Sequence, residues 1–106
     1  MMERMRRQRP FLDSLLREAK PLKRQVLLEH ANKDQINSVS ELVLNTLRNK
    51  VPVSPVVFRT LKRHKELLRT LARRKTSLKR RRELLAKQTG GGFWKGLDCC
   101  YRQCRV

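Results

Sequence analysis

The sequence predicts an all-α protein, and three observations carry that expectation. Apolar residues recur at steps of three and four along most of the chain. Proline, serine and asparagine stand where helices begin, at Pro10, Pro21, Asn32 and Ser54-Pro55. No glycine or proline interrupts residues 56–89. With 106 residues there is room for one ordinary domain and one function. The expected arrangement is three short helices packed with a long, protruding basic helix.

Residues 1–10 read as a basic N-terminal arm ending at Pro10. Residues 11–50 read as a small helical group. Its first helix carries Phe11, Leu12, Leu15 and Leu16 on one face, and its second follows Pro21 with Leu22, Val26, Leu27 and His30 inward. The third runs from Gln35 to Leu47 with Ile36, Val39, Val43, Leu44 and Leu47 on one face, and Ser38, Glu41, Asn45 and Arg48 opposite. Residues 51–55 form a proline-bounded connector, because residues before proline are pushed out of helical angles. Residues 56–89 are expected as one long helix, which at ~1.5 Å per residue would reach ~50 Å. In it Phe58, Leu61, Leu68 and Leu71 face the preceding helices, while Leu78 and Leu85 project with the second half. Residues 90–106 read as a glycine-rich hinge and a Cys-containing appendage.

Charge narrows the function. There are 27 Lys and Arg against 9 Asp and Glu, a formal net charge of +18. Such a surplus repels itself unless a polyanion neutralises it. Nucleic acid is the commonest such partner, DNA ahead of RNA, although acidic lipid, acidic protein tails and ribosomal RNA satisfy the same electrostatics. No stretch approaches ~20 apolar residues, and the N-terminal residues lack the apolar run of a secretory signal, so an intracellular protein is expected and membrane partnership is not. Cys99, Cys100 and Cys104 lie too close together to staple the body of a fold.

Within 56–88 there are 13 Lys and Arg against Glu66 and Glu83. The densest part holds Arg73, Arg74 and Lys75, then Lys79, Arg80, Arg81 and Arg82. Lys62, Arg63 and Arg69 are secondary. A merely solvated helix interleaves both signs as i,i+4 pairs, and two Glu among so many bases argue for a phosphate-bearing partner instead. Seven cations set around a helix axis suit contact with phosphates and suit poorly a groove in which a few side chains read base edges. The run 79–82 also has the form of a short nuclear import signal, a pattern that composition alone often produces. Thr76 and Ser77 follow basic residues, where a phosphate would cancel about two charges, and equally read as ordinary surface residues.

Other chemistry lacks its residues. Zinc needs paired ligands, and adjacent Cys99 and Cys100 with His30 and His64 offer no such set. Lipid attachment at the cysteines beside Phe93 and Trp94 competes with a free-thiol tail of no role. Phe93, Trp94 and Tyr101 are too few for a base-stacking platform. His30 reads as half-buried and His64 as lying on the inner stripe. No nucleophile-base pairing, carboxylate pair or phosphate loop stands out, so neither an enzyme, a cofactor nor a small-molecule substrate is expected.

The residues 37–47 (NSVSELVLNTL), then Val53-Ser54-Pro55, Leu61 to Lys65, 75–85 (KTSLKRRRELL) and Gly91-Gly92-Phe93 resemble a family of small basic proteins. That family is encoded by Maverick or Polinton elements and by the related adintoviruses of animal genomes. The resemblance spans residues 11–93 and rests on the order of several short motifs. The protein of that family is usually compared with the basic core protein of adenoviruses, which condenses the genome inside the capsid, so the resemblance implies a nuclear or virion-like setting. Members carry an apolar tail after Gly-Gly-Phe, whereas here 94–106 holds three Cys and two Arg. The expected function is sequence-independent binding and condensation of DNA through the ten cations named above. Self-assembly or capsid binding through the leucine stripe is the second reading, and an RNA or ribosomal role the third.

Overall fold

The structure, a computed structural model, describes residues 3–48, 54–88 and 91–104. All secondary structure among these residues is helical, so the protein is all-α. The helices are α1 (Glu3–Arg7), α2 (Arg9–Arg17), α3 (Pro21–Glu29), α4 (Lys33–Leu47), α5 (Pro55–Lys62), α6 (Lys65–Ala72), α7 (Leu78–Ala86) and α8 (Gly91–Cys104).

The N-terminal segment is no free arm. Met5 of α1 is fully buried, while Arg4 and Arg7 reach Asp34 at 3.3 and 3.5 Å and hold α1 beside the start of α4. Pro10 lacks an N–H, which in the first turn of α2 would have no partner within the helix, and Phe11, Leu12, Leu15 and Leu16 enter the core as their spacing predicts. Helix α3 also begins on its proline, but it is rotated from the expected face. Leu22 and Val26 are exposed, at 76% and 52%, as is His30, and Leu28 is buried with Arg24 instead. The Arg24 guanidinium lies 4.8 Å from the centroid of the Trp94 ring and donates to the Glu18 carbonyl, which turns that face inward.

Helix α4 is the central strut. Asn32 and Gln35 form a reciprocal capping box with both bonds at 2.8 Å. Ile36, Val39, Leu42 and Val43 are buried, and so are Ser38 and Asn45, which the sequence pattern put on the opposite face. Leu44 and Leu47 are half-buried. Of the connector 51–55, residues 51–53 lie outside the described residues, as do Asn49 and Lys50. Ser54 then caps α5 by accepting from the Val57 amide at 3.3 Å.

The single long helix over 56–89 is replaced by α5, α6 and α7. The first break falls at Arg63-His64, where the His64 amide bonds Leu61 O at 2.9 Å. The second spans residues 73–77, and Ser77 caps α7 by accepting from the Arg80 amide at 3.1 Å. Burial explains the folding back. A straight rod leaves the leucines of its second half in water, at ~1.5–3 kcal/mol each, and Thr76 and Ser77 weaken the helix where it must turn. Leu85 is therefore core at 1% exposure and Leu78 half-buried, against expectation, alongside Leu61, Leu68 and Leu71. Phe58, expected to pack inward, is 50% exposed.

The C-terminal segment is no appendage either. In α8, Phe93, Trp94, Leu97, Cys100 and Tyr101 are buried, and the helix packs on α5, α2 and α4. Gly96 makes the approach to α5 possible, since a Cβ there would stand 2.8 Å from Leu61 Cδ2. Phe93 meets His64 edge-on at 5.4 Å and Trp94 at 5.2 Å, and Trp94 Nε1 donates to Gln88 O at 2.5 Å. The described residues span 33 × 28 × 26 Å, with no ~50 Å projection among them.

Candidate nucleic-acid interface

The ten cations singled out by the sequence separate into two groups. Lys62 ends α5, Arg63 lies in the turn after it, and Arg69 stands on α6 with Glu66 at 3.4 Å. Arg73, Arg74 and Lys75 occupy the turn between α6 and α7, and Lys79 and Arg80 the first turn of α7. All of these are exposed. Arg81 and Arg82 are half-buried and hydrogen-bonded to the protein itself. Arg82 Nη2 donates to Ala31 O at 2.5 Å, satisfying a carbonyl just past the end of α3. Arg81 Nη1 donates to Asn37 Oδ1 at 2.7 Å and its Nη2 to Arg73 O at 2.8 Å. Loss of solvent lowers the Arg81 pKa from its ordinary value.

The bonds of Arg81 fix the presentation of the other group. Arg81 ties the α6–α7 turn to α4, and within the turn Thr76 Oγ1 donates to Thr70 O at 2.7 Å. The Thr76 amide bonds Arg73 O at 3.2 Å. Arg73, Arg74 and Lys75 thus project from a pinned turn at the N-terminus of α7. Thr76 and Ser77, weighed as modification sites, both use their hydroxyls to shape this turn.

Two recesses flank the cations. One, of about 330 Å³, has an apolar floor of Leu47, Phe58, Leu61 and Leu68 with Lys62 and Lys65 at its rim. The other, of about 680 Å³, runs along α4 between α1 and the α6–α7 turn, with Arg4, Lys33, Arg48, Arg74 and Arg81 around it. Sequence reasoning missed Arg4, Lys33 and Arg48, because Arg4 reads as part of a basic arm, Lys33 and Arg48 stand at opposite ends of α4, and only the tertiary fold brings the three to one recess with Arg74.

Among the described residues no three His, Cys, Asp or Glu side chains gather as a metal site, and no helix is long and apolar enough to cross a membrane. Cys99 is exposed while Cys100 is buried, and burial pushes the Cys100 thiol pKa up. No protein-family model, curated protein or solved structure matches the chain.

Proposed function

We propose that this protein is a non-enzymatic, sequence-independent nucleic-acid binder that neutralises and condenses DNA, in the nucleus or in a virion-like particle. One observation supports it above the others. Eight of the ten sequence-selected cations stay in solvent on consecutive elements α5 to α7, and only Arg69 has an ion pair among the described residues. A fold that needed this charge for its own stability would pair it with the 9 acidic residues of the chain. The phosphate contacts of this reading are Lys62, Arg63, Arg69, Arg73, Arg74, Lys75, Lys79 and Arg80.

The reading based on a leucine stripe has less support, because Leu61, Leu68, Leu71 and Leu85 are at most 4% exposed within one chain and only Leu78 of the stripe is half-buried. Salt titration tests the leading reading. Log affinity for unrelated DNA duplexes should fall against log salt with a slope of roughly −5 to −7, as for six to eight released counterions. A flat slope, or strong preference for one duplex sequence, rejects it; tighter binding to duplex RNA moves the target polymer from DNA to RNA.

A further inference from the structure

The recess along α4 is polar and distinct from the outer row of cations. It follows one face of α4 from Lys33 to Arg48, a path of ~22 Å at ~1.5 Å per residue. Arg4 and Lys33 stand at its beginning and Arg48 at its end, and Arg74 faces α4 from the α6–α7 turn. Arg4 is shared with Asp34 at 3.3 Å, whereas Lys33, Arg48 and Arg74 have no ion pair among the described residues. In the middle lies Glu41, its Oε2 shut off from solvent with no hydrogen-bond partner among the described residues. A carboxylate so placed, between unpaired cations, makes the trough weaker for anions than its bases alone would.

We propose that this trough seats the phosphodiester backbone of a single nucleic-acid strand. The proposal rests on the phosphate-binding function above and deepens it by naming the form of the polymer. Two features select a strand. A recess of about 680 Å³ has the capacity of a small-molecule site, so one strand of a polymer fits and a duplex does not. Its cations are strung along the path of α4, not gathered at one point, so a compact phosphate cannot meet both ends at once. The backbone of about four nucleotides, the lower end of single-strand site sizes, can. Lys33 and Arg48 are its end contacts, Arg74 binds from the opposite wall, and Glu41 opposes the phosphate nearest the centre.

The test is fluorescence anisotropy of the full chain with labelled oligothymidylate at ~0.15 M salt, with duplex DNA and inorganic tripolyphosphate as further probes. Lys33→Gln with Arg48→Gln should weaken oligothymidylate binding ~10-fold and flatten the salt slope by about 1.4, the value for two phosphate contacts to a single strand. Glu41→Gln should tighten it ~3-fold, a gain that unfolding cannot mimic. Lys23→Gln with Lys87→Gln removes the same charge from exposed sites elsewhere on the surface and serves as the reference. A trough pair no weaker than this reference, or Glu41→Gln without a gain, overturns the proposal. So does tripolyphosphate binding that depends equally on Lys33 and Arg48, since a compact anion then suffices. Lys79→Gln with Arg80→Gln separates the two levels: if this pair weakens duplex binding while the trough pair matches the reference, the strand site falls and the phosphate-binding function stands. If no pair changes any affinity, both fall.

Discussion

Arginines at neighbouring positions do different work here. Arg80 is exposed, while Arg81 and Arg82 hydrogen-bond Asn37, Arg73 O and Ala31 O. Counting charge along the chain could not separate them, because a guanidinium is also a planar fork of donors that satisfies carbonyls. Tyr101 offers a residue-scale measurement. Burial pushes its pKa up to about 12, with help from Asp13, against the opposing pull of Arg9 and Arg17. Since the folded value lies above the unfolded one of ~10, the protonated phenol stabilises the fold fully below pH ~10, and that contribution is lost as pH rises from there through about 12. Tyr101 is the one tyrosine in the chain, so phenolate absorbance reports on it alone. The native protein should titrate well above the chain in denaturant, and coincident curves would mean that α8 does not bury the ring.

Helices with a strong apolar stripe and clear punctuation were legible: α2 from Phe11, Leu12, Leu15 and Leu16, and α4 from its Asn32 cap. The breaks at 63–64 and 73–77 were not, because no glycine or proline marks them and Thr76 and Ser77 weaken a helix by under about 1 kcal/mol each. What decides them is the tertiary burial of Leu85 and of α8. That last helix did leave a trace, since Phe93, Leu97, Cys100 and Tyr101 fall at helical spacing, but the triple glycine of 90–92 reads as a hinge that would detach it. Substitution checks the resulting element map. Leu68→Ala and Leu85→Ala should each cost ~2–4 kcal/mol, and Trp94→Ala ~3–5 kcal/mol, as core truncations do. Thermal melts of the three variants decide it. A loss under ~1 kcal/mol for Leu85→Ala would restore a projecting helix, and the same for Trp94→Ala a detached tail.

For the whole molecule, a charge of +18 on a body of 33 × 28 × 26 Å makes copies repel. The all-α class and the basic character of the site were readable from composition and period. The compactness was not, because the leucines beyond Arg73 look the same whether they project or fold back. Light scattering should find a monomer in physiological salt without nucleic acid and large particles once duplex DNA is added. A stable oligomer in the absence of nucleic acid would contradict the charge argument and favour assembly as the function.

The burial of α8 against α2 and α4 also has a consequence for the order in which the chain is made. On the ribosome, residues 3–48 are synthesised before residues 91–104, and at ~5–20 residues per second the interval is about 2 to 9 s. During that time α2 and α4 lack α8 as a packing partner. Docking of α8 is thus a late step, made while a nascent basic chain lies beside ribosomal RNA, itself a polyanion. The first helices therefore meet that polyanion before their last packing partner arrives.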